Sequence, residues 1–151
     1  MFNEIMKNLE DQLPGKEIEK LKNKELHLGI FSEPFLTYML EGKKTIESRI
    51  TKNKVSPYQK ITKEDVVFIK KSSGPVLGFF TIKEVLFFDL ATTPIETIKE
   101  NYNKQLCVDE TFWINNSSSR YATLMIIDKL IKLKSFSIPK KGMQTWIKLK
   151  K

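Results

Sequence analysis

The residues best suited to chemistry lie in one short stretch, where Lys44, Thr45, Glu47 and Arg49 follow Gly42. Glycine tolerates the positive φ found at helix C-termini, so Gly42 predicts the end of a helix, and the residues after it predict a strand. Side chains alternate between the two faces of a strand. Thr45, Glu47 and Arg49 therefore share one face, which carries a hydroxyl, a carboxylate and a guanidinium in a row, with Lys44 at its entrance.

Such a row of side chains suits the recognition of a polar or anionic ligand. Arg49 can bind a phosphate or a carbonyl oxygen bidentately, and Glu47 can accept a hydrogen bond from the exocyclic amine of a base such as cytosine. Arg49 and Arg120 are the only two arginines beside 24 lysines, which favours positions that need the planar guanidinium fork. The simpler alternative is a solvated strand face with a Glu47–Arg49 ion pair, since such pairs are common and contribute little.

Composition predicts a globular, basic protein. A chain of 151 residues with 40% hydrophobic residues and ten phenylalanines is long enough for one domain with a hydrophobic core. The formal net charge is +8 and the isoelectric point is about 9.5. This balance favours polyanionic partners, nucleic acid first, because released counterions drive the association. A lysine-rich surface that only aids solubility is the alternative.

Cysteine and histidine usage argues against several classes of site. Cys107 is the single cysteine, so no intramolecular disulfide can form, as expected in a reducing cytosol. The single histidine, His27, stands beside an apolar run and is expected in the core or on a strand face. A His/Cys metal site is therefore not expected, and no cofactor is predicted.

No membrane partner is expected from the sequence. No run approaches the roughly 18 apolar residues that a membrane-spanning helix needs. Charges also interrupt the first 24 residues throughout, which argues against a secretory signal. We therefore expect a cytoplasmic protein.

Hydrophobic periodicity predicts an α+β protein with about six strands and three or four helices. Ser32 and Thr93 are predicted N-caps, and Gly78 predicts a bulge or a close approach of two main chains. The predicted helices are 2–12, 16–24, 35–40 and 95–102, with a short helical turn after Asp109; the predicted strands are 26–31, 45–50, 65–70, 76–88 (one bent strand or two), 121–133 and 143–149, with a turn over 140–142.

Taken in order, these segments resemble the ASCH domain family, a branch of the PUA-like superfamily. The motif G-x-K-x-x-E-x-R is matched by Gly42, Lys44, Glu47 and Arg49, and an Arg-Tyr-Ala-Thr-Leu segment follows at 120–124. The short motif is weak alone, and its order with the later segments makes the resemblance more specific. The resemblance implies an α+β, PUA-like mixed β-barrel of about six strands with flanking helices.

The resemblance covers about residues 26–149, which predicts an ASCH/PUA-like domain over 26–151 and an N-terminal helical extension over 1–25. The extension either packs on the barrel, which is the plainer interpretation, or serves as a partner-binding arm.

The first functional interpretation is RNA or modified-nucleotide binding in a cleft, as the resemblance to PUA-like domains implies. A basic loop around Tyr58 can contact a phosphate backbone and stack a base. Trp113 is a stacking platform or a core residue, and Lys70 belongs to a positive rim or to a solvated turn. The predicted ligand-binding residues are Lys44, Thr45, Glu47, Arg49, Tyr58, Lys70, Trp113, Arg120 and Tyr121.

The second interpretation is a small amidohydrolase. Some proteins of the resembled family hydrolyse the acyl amide of N4-acylated cytidines with a lysine, a threonine three residues later and a glutamate from a later helix. This chain has Glu47 where they have threonine, so the nucleophile is missing unless Thr45 serves. Lys44, Thr45 and Glu47 are therefore the catalytic candidates, with Glu47 as a general base toward water. Other proteins of that family are ribonucleases, and a regulatory domain that holds a nucleotide is a further alternative. The sequence leaves open whether the protein is an enzyme.

Overall fold

The computed structural model describes residues 1–140 and 142–151 of the chain. Within these ranges there are five helices and six strands. In chain order they are α1 (Phe2–Glu10), α2 (Gly15–Lys22), β1 (Leu26–Phe31), α3 (Phe35–Leu40), β2 (Ile46–Thr51), β3 (Val66–Lys71), β4 (Val76–Asp89), α4 (Ile95–Leu106), α5 (Glu110–Asn115), β5 (Tyr121–Phe136) and β6 (Trp146–Lys148).

The six strands form one mixed sheet in the order β2-β5-β4-β3-β1-β6. Strand β1 pairs with β3 in parallel, whereas β1 with β6, β2 with β5 and β3 with β4 are antiparallel pairs. The parallel pair needs a crossover, and α3 and β2 lie between its two strands in the chain. The predicted α+β class and the count of about six strands are confirmed, and there is at least one helix more than predicted.

The chain divides into two compact units. Unit 1 contains Met1–Ser32, Glu64–Thr81 and Asp128–Lys151, and unit 2 contains Glu33–Lys63 and Ile82–Ile127. Strands β4 and β5 each run from one unit into the other, so neither unit is a continuous stretch of sequence.

The core of unit 1 includes the two N-terminal helices. Ile5 and Leu9 of α1 are fully buried, and Leu21 of α2 is nearly so. They belong to one apolar cluster with Leu28 of β1 and Phe68 of β3. The first 25 residues thus contribute apolar side chains to the core, because the helical spacing of these residues gives each helix one buried face.

His27 of β1 is a core residue, as its apolar neighbours predict. It is 1% exposed, and its Nε2 lies 2.9 Å from Oδ2 of Asp65. The indole Nε1 of Trp146 lies 3.2 Å from its Nδ1. An indole N–H can only donate, so Nδ1 accepts and Nε2–H donates to Asp65.

The core of unit 2 forms where α4 and α5 pack on β2 and β5. Ile98, Leu106 and Trp113 of the helices cluster with Ile46 of β2 and Leu124 of β5, and all five are buried. Trp113 is therefore a core residue, and its indole Nε1 donates to Oδ1 of Asn103 at 2.6 Å. This is the plainer of the two roles predicted for it.

Two of the predicted helix starts are wrong by one or two residues. Pro34, not Ser32, is the N-cap of α3, and Pro94, not Thr93, is the N-cap of α4. At α3 the carboxylate of Glu33 takes over the capping role, since its Oε1 accepts from the backbone N–H of Thr37 at 2.8 Å.

Two other local predictions are confirmed. Asp109 caps α5, because its Oδ1 accepts from the N–H of Phe112 at 3.2 Å. Gly42 follows α3 with φ +80°, the conformation expected after a helix.

The strand from 76 to 88 is a single strand, β4, with a bulge beside Gly78. The pairing passes from Ile69↔Gly78 to Lys70↔Val76, so Leu77 has no partner in the ladder. An added Cβ at Gly78 would lie 2.4 Å from the carbonyl oxygen of Ile131. Glycine is therefore needed here for the close approach of two main chains.

None of the helices in the described part of the chain has the length and apolar character needed to cross a membrane. The turn predicted over 140–142 includes Lys141, which lies outside the described residues.

Candidate functional site

Strand β2 presents the polar face that the sequence predicts. Ile46 and Ile50 point into the core of unit 2, so the alternation places Glu47 and Arg49 on the opposite face. Lys44 stands two residues before the strand, next to the turn that ends α3. The site described below lies wholly in unit 2.

Lys44 is a buried lysine with a fixed position. Its residue is 3% exposed, and its Nζ donates to the carbonyl oxygen of Leu106 at 2.6 Å. The same Nζ lies 3.6 Å from Oε1 of Glu47 and 5.7 Å from the ring centroid of Phe35. The backbone N–H of Lys44 donates to the carbonyl of Tyr38, which anchors the residue to α3.

Glu47 lies between two cations. Its Oε1 accepts from the backbone N–H of Ser48 at 2.8 Å, and its Oε2 lies 3.4 Å from Nη2 of Arg49. The side chains of Glu47 and Arg49 are 8% and 14% exposed. Lys44, Glu47 and Arg49 thus form a chain of three charges with a net charge of +1, which we call the charged array.

Thr123 was not predicted as a site residue, yet it lies directly opposite Arg49 in the β2–β5 ladder. It is fully buried, and its Oγ1 has no hydrogen-bond partner among the described residues. A buried hydroxyl without a partner costs stability, so it has to be explained by something other than packing. A threonine inside the apolar alternation of residues 121–127 is the one signal in the sequence that points to it.

The same face of β5 continues to Tyr121, which pairs with Thr51. The ring of Tyr121 lies 4.9 Å from that of Tyr58, centroid to centroid, and Tyr58 is packed edge-on against Phe87 at 5.5 Å. Tyr58 is buried at 7% exposure, whereas Tyr121 is half-buried. Tyr121 is therefore the more accessible of the two rings for stacking.

Cations surround these two tyrosines. Nζ of Lys54 lies 6.0 and 5.9 Å from the ring centroids of Tyr58 and Tyr121, and the guanidinium of Arg120 lies 5.4 Å from that of Tyr121. These distances are in the cation–π range. We call Lys54, Tyr58, Arg120 and Tyr121 the tyrosine cluster.

Arg120 is held by Asp89, which the sequence did not single out. Its Nε and Nη2 lie 3.2 and 3.4 Å from the two carboxylate oxygens of Asp89. Hydrogen bonds from Arg120 hold the pKa of the Asp89 carboxyl below its ordinary value, and Asp89 in turn raises the pKa of Arg120. Burial raises the pKa of the Tyr58 phenol, and the charge of Asp89 raises it further.

The remaining predicted residues lie apart from the charged array or belong to another unit. Thr45 is exposed, and its backbone N–H donates to the carbonyl of Gln105. Trp113 belongs to the core of unit 2, and Lys70 belongs to unit 1. Within the described residues, no group of three or more His, Cys, Asp and Glu side chains is arranged to hold a metal ion.

The structure is similar to the crystal structure of ASCH from Zymomonas mobilis, with a TM-score of 0.67 and 14% sequence identity over 83% of this chain and 88% of that chain. Crystal structures of two mutants of that protein, one serine-to-alanine and one tyrosine-to-phenylalanine, give TM-scores of 0.68 at 14% identity, over 85% of this chain and 91% and 92% of theirs. No family model and no curated protein matches the chain. At this identity the likeness shows the fold alone, and at that level the ASCH resemblance is confirmed.

Proposed function

We propose that this chain, which has the ASCH fold, binds RNA or a modified nucleotide through the charged array and the tyrosine cluster. The observation that carries the proposal is the burial of three charges in a row on one strand, with Lys44 and Glu47 less than one tenth exposed. Buried ion pairs commonly stabilise a protein no more than apolar side chains of the same size do. Stability therefore does not account for the array, and ligand recognition does.

The chemistry of the array matches the polar edge of a nucleobase. Arg49 and Lys44 supply donors for a carbonyl oxygen, and Glu47 supplies an acceptor for an exocyclic amine. Thr123, opposite Arg49, adds a hydroxyl that can donate or accept.

The tyrosine cluster suits the rest of a nucleotide. Tyr121 offers a partly exposed ring for stacking, which contributes about 1 to 3 kcal/mol per base in single-stranded complexes. Lys54 is exposed, and the side chain of Arg120 is 54% exposed, so both can reach a phosphate. The net charge of +8 favours the approach of a polyanion.

The test is fluorescence anisotropy with a labelled single-stranded RNA over a salt series. Lys44→Met/Glu47→Gln removes both charges of the buried pair, leaves the net charge at its original value and retains similar side-chain volumes. We expect it to lower RNA affinity by about tenfold or more, the usual effect of losing a charge-assisted hydrogen bond.

The matched control is Lys99→Met/Glu110→Gln, which removes an exposed pair of the same unit, 2.6 Å apart, and is also neutral in net charge. Its affinity should equal that of the wild type. Equal affinities for all three proteins would overturn the proposal and leave net charge as the cause of any binding. Recovered RNA is run on a denaturing gel, where shortened products would support the ribonuclease alternative.

A second candidate, amide hydrolysis, is favoured by the 3.6 Å separation of Lys44 Nζ and Glu47 Oε1. Glu47 would take a proton from water as the water attacks the acyl carbon, and Lys44 would stabilise the resulting oxyanion. The C–N bond then breaks, the amine of the base takes up the proton, and cytidine and acetate leave. Wild type incubated with N4-acetylcytidine should release cytidine and Glu47→Gln should not, as measured by chromatography. No release by the wild type would remove this candidate.

A further inference from the structure

Lys70 is a second nearly buried lysine, at the end of β3 in unit 1. It shares a face of the strand with Val66 and Phe68, which are fully buried, and its ladder partner Val76 is fully buried too. Lys70 itself is 8% exposed. Its aliphatic stem therefore extends the apolar core, and the little surface left to it belongs to the end of the side chain.

No carboxylate neutralises Lys70 within the described residues. Its Nζ donates at 3.3 Å to the carbonyl oxygen of Lys71, and no Asp or Glu of the described chain lies within 4.0 Å of it. Lys44, by contrast, has Glu47 at 3.6 Å. An ammonium has three N–H donors, and a buried charge without a partner costs much free energy. Lys70 is thus prepared for an anion that the protein does not provide.

A cavity opens beside Lys70. It has a volume of about 590 Å³, in the range of small-molecule sites. Lys70 is the one charged residue in its described lining, and three of its other residues carry hydroxyl groups. The lining consists of Lys70, Ser73, Gly74, Pro75, Ser135, Phe136, Ser137 and Ile138. We call this cavity the Lys70 pocket.

The part of the sequence that supplies half of this lining is strongly basic. Residues 128–151 contain eight lysines and one aspartate, so their side chains carry a charge of +7 out of +8 for the whole chain. A local excess of one sign of charge raises the concentration of the opposite ion nearby. Anions are therefore drawn to this segment.

We infer that the Lys70 pocket binds a phosphate group, with the ammonium of Lys70 and the serine hydroxyls as donors. A phosphate carries three or four acceptor oxygens and negative charge, which matches a pocket that offers donors and one cation. The inference does not depend on the proposed function. The phosphate could be a free ion or part of an RNA backbone, and both present the same acceptor oxygens.

The test compares the thermal unfolding of the full chain in inorganic phosphate and in chloride at equal ionic strength. Lys70→Met retains the apolar stem and removes the charge. Lys71→Met removes the same charge from the exposed neighbouring residue. Phosphate also stabilises proteins without binding, and that contribution is common to all variants. We expect phosphate to raise the Tm of wild type and Lys71→Met by more than that of Lys70→Met, as binding about tenfold weaker in the latter requires.

An equal phosphate response in Lys70→Met and wild type would overturn the inference. Ser135→Ala/Ser137→Ala, at two exposed positions, provides a variant that leaves the core untouched, and it should lose part of the response. A full response in that double variant would exclude the hydroxyls as ligands.

An RNA arm distinguishes the source of the phosphate. If Lys70→Met also lowers the affinity for single-stranded RNA by more than Lys71→Met does, the pocket holds a backbone phosphate. If only the response to inorganic phosphate is lost, the pocket holds the free ion.

Discussion

Two nearly buried lysines, Lys44 and Lys70, differ in what neutralises their ammonium groups. Lys44 has the carboxylate of Glu47 and the carbonyl of Leu106, whereas Lys70 has the carbonyl of Lys71. The cost of removing each charge should differ accordingly. Taking away Lys44 leaves a buried carboxylate behind, while taking away Lys70 relieves a buried charge.

Lys44→Ala should destabilise the protein by about 3 to 5 kcal/mol, because it leaves a cavity and deprives Glu47 of one of its two cations. Lys44→Met/Glu47→Gln should recover most of that loss, since neither charge remains. Urea unfolding gives both values. Lys99→Ala, which breaks an exposed pair, should cost less than about 1 kcal/mol. A similar small cost for Lys44→Ala would show that the buried array contributes no more than a surface pair.

The phenol of Tyr58 should make stability fall at alkaline pH. Because burial raises the folded-state pKa of Tyr58 above its unfolded value of about 10, its contribution to stability is complete below about pH 10. It is lost as the pH rises through the folded-state pKa. Tyr58→Phe should therefore lose less stability than wild type above about pH 10, as measured by urea unfolding across that range. Tyr38→Phe is the control, and an unchanged alkaline slope in Tyr58→Phe would contradict this prediction.

At the scale of elements, the local signals placed most helices and strands correctly. Asp109 and Gly42 act within one or two turns of chain, and both behave as predicted. The starts of α3 and α4 were wrong because prolines there set the first turn, and at α3 the carboxylate of Glu33 competes with Ser32 for the capping role.

Gly78→Ala should destabilise the protein by about 2 kcal/mol or more, because its Cβ would lie 2.4 Å from the carbonyl oxygen of Ile131 and the two main chains would have to separate. Thermal and urea unfolding measure the loss. Gly15→Ala is the matched control, since nothing lies within 4 Å of its added Cβ. Alanine at position 15 should change stability by less than about 1 kcal/mol. Equal effects at the two positions would contradict the close approach at Gly78.

At the scale of the whole molecule, charge is distributed unevenly. Nearly all of the net charge lies in the last 24 residues, which belong to unit 1, whereas the charged array lies in unit 2. Affinity for RNA should accordingly have a general electrostatic component from the former and a more selective one from the latter.

Lys132→Ala/Lys150→Ala removes two exposed cations of the basic segment. It should weaken binding of single-stranded RNAs of different sequence by similar factors. The slope of log affinity against log salt should fall by about 0.7 for each phosphate that the protein no longer neutralises. Anisotropy titrations at several salt concentrations measure this slope, and Lys44→Met/Glu47→Gln, which leaves net charge unchanged, is the comparison. A slope that stays the same without both lysines would exclude them from binding phosphate.

The sequence by itself determined the elements and the polar face of β2, because helix ends and strand alternation depend on neighbouring residues. The match of Gly42, Lys44, Glu47 and Arg49 to a motif, in order with the later segments, was enough to predict the fold that the comparison confirms. Burial depends on contacts between distant segments, and only the tertiary structure decided it. It buried Lys44 and Tyr58, left Thr45 exposed, set Trp113 in a core, and placed Thr123 opposite Arg49 and Asp89 beside Arg120.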